Sequence, residues 1–315
     1  MKLFRQILAL VLVAAVFVVF DLGFYTLLTR RCVPNYSGAN TSIRFEDYLP
    51  FDPDSKIPRV EASLHLTDDL PVLDGATALL PVYSGLAAAV YPPDSCPVAD
   101  GNFAPESAVQ YRNTVGAYKA VVDGEADLIF CAQPSKEQLA YAEEQGVELV
   151  LTPIGQDAFV FLVNAENPVD SLTSEQIRGI YSGTNRNWKE VGGPDRPILP
   201  LQRAPGSGSQ TGMEAFMGDT PFGKSHLRFD GAAIGYSYRY YVEGIVGNEQ
   251  VKMLALDGVY PDTESIRSGA YPVAGPFYAI YRAGNPNENI PRILEWLLSD
   301  EGQKLIEESG YVPIR

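Results

Sequence analysis

The chain has 315 residues, of which 46% are hydrophobic and 20% charged, enough to bury a large core in one or two globular domains and too apolar to be disordered over its bulk. The formal net charge is −15; the first 28 residues hold only Lys2, Arg5 and Asp21, so the rest carries 22 basic against 38 acidic side chains, a net −16. Such a body repels nucleic acid and anionic lipid, and an anionic ligand would have to be held by local donors in a pocket.

In chain order, residues 7–28 are apolar except for Asp21, Gly23, Tyr25 and Thr26, and they follow "MKLFR". This reads as a membrane-targeting helix. The following "DLGFYTLLTRRC" offers no small-residue cleavage site, and Cys32 follows Thr29-Arg30-Arg31 rather than the small residues that lipidation needs. An uncleaved signal anchor over residues 1–28, amino terminus inside, is therefore expected, although the flanking charge bias is thin. Residues 29–70, with "YLPFDPDSKIPRVE" at their centre, have little periodicity and read as an extracytoplasmic stalk. The three cysteines are far apart and there are two histidines, His65 and His226, so no metal site is expected. A Cys32–Cys96 bridge outside the cell is left open by the spacing.

From Pro71 onward short β-type runs alternate with helical ones, the pattern of an α/β domain over 71–315. "VLDGAT" leads into the apolar "ALLPVYSGLAAAVY"; "AVQYRN" leads into "TVGAYKAVVDG", with Val115, Tyr118, Val121 and Val122 on one helical face. "ADLIFCA" reads as a buried strand, "SKEQLAYAEEQG" as a helix stopped by glycine, and "VELVLTPI" and "DAFVFLVN" as two strands almost back to back. Then come "SLTSEQIRGIYSG", with Thr173 and Gln176 as a capping box, the strand "PILPLQR", the helix "QTGMEAFM", and the strands "VKMLAL" and "YPVAGPFYAIYR". The chain closes with the helical "PRILEWLLSDEGQKLIEESG".

Two stretches could cradle a phosphate. "GDTPFGKS" (Gly218 to Ser225) fits G-x-x-x-x-G-K-[ST], but a P-loop needs a strand before it and a helix after it. Here "GMEAFM" before it reads as helix, Pro221 removes one N–H, and no helix follows. In "QRAPGSGSQT", by contrast, Arg203 ends a strand, and Ser207, Gly208 and Ser209 open a helix whose unpaired N–H groups face whatever lies before them. Arg203 could fork onto two oxygens of a tetrahedral oxyanion. The plainer alternative is a surface ion pair for Arg203 and simple capping by Ser207 or Ser209; local sequence does not choose. Thr77, with Ala78 beside it, and Thr114 open two further helices in the same way. Three such starts in one chain favour a convergent anion site over three independent caps.

The series "DGATALLPVY", "YRNTVGAYKAVVDGEADLIFCAQPS", "PIGQDAFVFLVNAENPV", "LTSEQIRGIYSGTNRNWKEVGG", "QRAPGSGSQT" and "SDEGQKLIEESGYVPI" resembles the phosphate-binding (PstS-like) solute receptors of ABC importers, in the type 2 periplasmic-binding-protein superfamily. The resemblance runs in order across Pro71 to Arg315. It implies an α/β, two-lobed fold with two crossing hinge strands, lobe 1 being 71–156 with 275–315 and lobe 2 being 157–274. It also implies inorganic phosphate or a similar oxyanion as ligand, ABC permease subunits as partners, and neither catalysis nor a cofactor. Carried over by position, Thr77, the N–H of Ala78, Thr114, Arg203, Ser207, Gly208 and Ser209 would bind the oxyanion. Two positions depart from the family. Where its receptors place a proton-accepting aspartate after the strand matching "ADLIFCA", this chain has Ala132-Gln133, and where an acid follows the arginine, it has Pro205. With Gln133 as a neutral ligand, discrimination against sulfate is expected to weaken, unless Asp74, Asp157 or a carbonyl supplies the acceptor.

The leading expectation is a membrane-tethered, extracytoplasmic substrate-binding protein. The alternative is an oxyanion-sensing or adhesive ectodomain of the same fold. A serine hydrolase is disfavoured because "PGSGSQTG" contains no G-x-S-x-G. Asp127 and Asp157 read as residues positioning strand ends, and the aromatics of "GYSYRYYV" as lobe packing.

Overall fold

The computed structural model describes residues 44–223 and 232–315. The anchor expected over 1–28, His226 and the Lys224-Ser225 end of "GDTPFGKS" lie outside these residues. Among the described residues no helix is long and apolar enough to cross a membrane.

Among the described residues the main sheet has seven strands: β1 (Leu73–Gly75), β2 (Leu128–Cys131), β3 (Leu149–Asn164), β4 (Ile198–Pro200), β5 (Ala232–Tyr238), β6 (Val251–Met253) and β7 (Ala274–Arg282). Their order is β1-β2-β7-β3-β5-β4, with β6 also pairing β3. β1 runs parallel to β2 and β4 parallel to β5, whereas β3 and β7 run antiparallel to each other and to their neighbours. The helices are α1 (Leu80–Val90), α2 (Asn113–Asp123), α3 (Lys136–Glu144), α4 (Ser174–Ser182), α5 (Gly208–Met217), α6 (Thr263–Arg267), α7 (Asn289–Leu297) and α8 (Asp300–Glu308).

"VELVLTPI" and "DAFVFLVN", read as two strands, form the single strand β3, which leaves one core and enters another. Ile154 packs with Leu73, Leu80, Phe130 and Leu305 in the first, while Ala158 and Phe161 pack with Ile177, Trp188 and Met213 in the second. The far face of the first lobe has its own cluster, in which Tyr118 and Val121 of α2 lie against Ile129 and Ile280. Val115, grouped with them by helical period, is instead 49% exposed and turns toward the cleft. Gly155 is required where β3 meets β7: a Cβ there would stand 2.4 Å from the Phe277 ring and 2.8 Å from Ile306. β5 follows a segment outside the described residues and is absent from the sequence expectations, because the small residues of "AAIGYSY" give no alternation of apolar and polar side chains.

The stalk expectation fails from Arg44 onward. Phe45, Tyr48, Ile57 and Leu66 are buried in the first lobe's core, Phe45 stacks edge-on with Phe103 at 4.8 Å, and the Leu66 N–H donates to Val90 O at 3.0 Å. Their spacing follows neither a helical nor a strand period because the segment wraps the lobe as an irregular strap; only a short 3-10 turn, Phe45–Tyr48, is regular. The Thr173–Gln176 capping box is present at α4, and Ser135–Gln138 makes a second at α3.

Candidate functional site

A cavity of about 260 Å³ lies where the two cores meet, and the starts of α1, α2 and α5 all open into it. The first start follows β1 through Ala76, whose N–H donates to Phe130 O at 2.8 Å, into the 3-10 turn Thr77–Leu79. Thr77 Oγ1 lies 3.0 Å from the Tyr111 hydroxyl. The second start is set by Asn113, a non-glycine residue at φ 58°, whose Oδ1 accepts from the Val115 N–H at 3.1 Å. Asn113 thus holds the first turn of α2 from within it, and the Thr114 hydroxyl is left to the cavity.

Asp74 ties these two starts together from behind. It is fully buried; Oδ1 accepts from the N–H groups of Gly75 at 2.7 Å and Arg112 at 3.0 Å, and Oδ2 from Arg112 Nη1 at 2.7 Å. Burial pushes its carboxyl up and the Arg112 hydrogen bonds pull it back down, with a net rise. Asp74 holds the frame and is not among the cavity's lining residues.

At the third start Ser207 Oγ accepts from the Gln210 N–H at 3.3 Å and donates to Ala204 O at 2.8 Å, so this hydroxyl serves as the cap of α5. The N–H groups of Gly208 and Ser209 open the helix behind it. The Arg203 backbone is pinned, its N–H donating to Gln210 Oε1 at 3.1 Å and Tyr236 OH at 3.0 Å, and its side chain belongs to the cavity wall. The lobes meet here: a Cβ placed on Gly208 would lie 3.5 Å from Thr114 Oγ1, and Gln138 Nε2 donates to Gly206 O at 3.1 Å.

Seven of the eight residues expected from sequence therefore share one cavity. Gln133 does not. It is exposed and outside the lining, where Ala132 stands instead. The cause is local: Pro134 and Ser135 are buried, and Ser135 opens the α3 capping box, which turns the chain away directly after Ala132. The expectation that a neutral amide at Gln133 sets selectivity falls with it.

The sequence left Asp157 with two readings, a residue positioning a strand end or a substitute acceptor for the ligand; it lines the cavity with 6% of its surface exposed. Among the described lining residues it is the only acid and Arg203 the only base. Burial raises the Asp157 carboxyl to about 7, against the lowering effects of the Ala158 N–H, the Arg239 charge and the Tyr240 N–H. Tyr238 and Tyr241 of the "GYSYRYYV" run also line the cavity, beside Phe277 and Tyr311. The strand period showed which residues share a face of β3 but not that one face changes from core to cavity at the lobe boundary. Residues 218–223 of the P-loop-like stretch follow α5 as a loop, with helix where a P-loop needs strand.

The model of the PBP superfamily domain matches residues 73–301. The phosphate-binding protein PstS of Borreliella burgdorferi is 25% identical over 193 residues, 55% of this chain and 68% of the relative. That of Bacillus subtilis is 26% identical over 184 residues, 55% of this chain and 61% of the relative. In fold, the chain is similar to a candidate phosphate ABC transporter substrate-binding protein from Clostridium perfringens with bound phosphate (TM-score 0.59, 23% identity, 77% of this chain and 98% of that one). It is also similar to an ABC-type phosphate transport receptor from Vibrio cholerae (TM-score 0.54, 22% identity, 79% of this chain and 99% of that one). With the two-core α/β architecture and a matched stretch covering most of the chain, this protein belongs to the PBP superfamily.

Proposed function

We propose that this protein is an extracytoplasmic receptor that binds phosphate or a similar tetrahedral oxyanion and presents it to an ABC permease, tethered by residues 7–28. The observation that carries the reading is the convergence of three helix starts and Arg203 on one interlobe cavity. A tetrahedral oxyanion is surrounded there by donors: the hydroxyls of Thr77 and Thr114, the N–H groups of Ala78, Gly208 and Ser209 at the helix starts, and a guanidinium that can fork onto two oxygens. The positive ends of the helix dipoles point the same way. Because the body is strongly acidic, these local donors must supply the binding energy. Thr77 and Thr114 belong to one lobe and α5 to the other, so the ligand bridges both and favours the closed arrangement. The similarity to named phosphate-binding proteins and transport receptors supports this ligand and this partner class.

Calorimetric titration of the purified full-length chain with phosphate, arsenate and sulfate tests the reading. Saturable binding of phosphate with one site per chain is expected. Absence of binding to any of the three by a folded protein would overturn it.

A further inference from the structure

The cavity that gathers these donors also holds one buried acid among its described lining residues. Asp157 sits on β3 at the change of cores, opposite Gly275 of β7 in the sheet register. A Cβ built on Gly275, itself a lining residue, meets nothing within 4 Å, so there is open space beside the carboxyl. Its Oδ1 accepts from the Ala158 N–H at 2.8 Å. The nearest cation is Arg239, with Nε 4.0 Å from Oδ1 and without a hydrogen-bond partner; the rest of that guanidinium is spent on Glu243 at 2.6 Å and on Gly310 O at 2.9 Å. The other titratable groups around Asp157 are Tyr238 and Tyr240 at the end of β5, Glu243 on the following turn and Tyr311 near the carboxyl terminus, with Arg203 in the cavity wall. The three tyrosines are pushed above their ordinary range by burial and stay neutral near pH 7. A carboxylate offers about four acceptor positions, so this one keeps capacity for a ligand.

We propose that Asp157 is the specificity-determining residue of the cavity: its carboxylate admits oxyanions that carry a proton to donate, and its protonated form admits oxyanions that carry none. The inference rests on the receptor reading above. The N–H groups, the Arg203 guanidinium and the Thr77 and Thr114 hydroxyls of the site can all donate, whereas an ionised Asp157 can only accept, so its facing an unprotonated oxygen is a buried like-charge contact with no hydrogen bond. A P–OH group or its arsenate counterpart turns that contact into a charge-assisted bond. Sulfate has no proton to give. Once Asp157 is protonated, its own O–H can donate to a sulfate oxygen, and the barrier is removed. Selectivity then changes across the range in which this carboxyl titrates, about 7.

Paired calorimetric titrations of the full-length chain with inorganic phosphate and sulfate at pH 6 and pH 8 test this, with Asp157→Asn alongside wild type. For a carboxyl titrating near 7, the protonated fraction falls about tenfold from pH 6 to pH 8, and sulfate affinity should fall by that factor. The Asn variant should lose this pH dependence and bring phosphate and sulfate within about tenfold of each other, since an amide both accepts and donates. Sulfate binding that is unchanged between the two pH values in wild type, whether measurable or absent, overturns the proposal without need of the variant. So does a folded Asn variant that keeps the wild-type preference. Failure of wild type to bind phosphate at either pH would instead bring down the receptor reading, and this inference with it.

Discussion

Arg203 and Asp157 stand in the same cavity with opposite charge, and they differ in how far sequence could expose them. Arg203 sits in a short local pattern, a strand, a glycine turn and a hydroxyl-headed helix, which made it a candidate, and the family resemblance chose the ligand reading over a surface ion pair. Asp157 lies inside a long apolar run, and only the meeting of two lobes makes its face a cavity wall. Gln133 shows the converse: the family resemblance put it at the ligand, and the capping box that begins at Ser135 turns it to solvent. Arg203→Met should weaken phosphate binding by at least about tenfold, since a charge-assisted hydrogen bond contributes ~1.5–3 kcal/mol, whereas Gln133→Asp should leave affinity unchanged; titration of both variants checks the pair. Asp157 also makes stability depend on pH. Its carboxyl titrates near 7 in the native state and near ~3.9 in the unfolded chain, so the folded protein binds the extra proton between those values. This contribution is fully present below the unfolded value and is lost as pH rises toward 7. In ligand-free thermal unfolding, the fall in midpoint between pH 5 and pH 8 should be smaller in Asp157→Asn than in wild type; an identical fall in both would assign the slope to other groups.

At the scale of elements, most helices and buried strands of both lobes were legible because their periods of 3.6 and 2 survive in the sequence, β5 and the short α6 excepted. What was lost is structure without a period. The segment from Arg44 to Leu70 read as a stalk because its prolines interrupt every pattern, yet Phe45, Tyr48, Ile57 and Leu66 fill the first lobe's core. Burying an apolar side chain from an irregular segment stabilises as much as from a helix, about 25 cal/mol per Å². Leu66 is 3% exposed, so Leu66→Ala should cost about 2–5 kcal/mol of stability, read as a lowered denaturant midpoint. A stalk residue would show no change. β3 failed to appear as one strand for a different reason: Pro153 and Gly155 break the apolar run in sequence, but Gly155 is where the Phe277 ring packs across the strand.

At the scale of the whole molecule, an acidic body binds an anion by enclosing it. The donors belong to both lobes, Thr77 and Thr114 on one side and the α5 start on the other, and the lobes already touch through Gln138 and Gly206. Because no attractive long-range field assists capture, the phosphate association rate should not fall as ionic strength rises, unlike that of a receptor steered by positive charge. Stopped-flow binding at two salt concentrations distinguishes these cases. The proposed anchor predicts an intact amino terminus and retention in membranes washed with alkaline carbonate, and a mature terminus between Phe20 and Asn40 would exclude it. The central claim, that the three helix starts and Arg203 form one oxyanion site, is tested most directly by a crystal structure of the protein grown with phosphate. It predicts the ion between the lobes, with its oxygens within hydrogen-bond reach of the Arg203 guanidinium, the Thr77 and Thr114 hydroxyls and the first N–H groups of α5. Phosphate bound elsewhere, with this cavity holding only water, would contradict it.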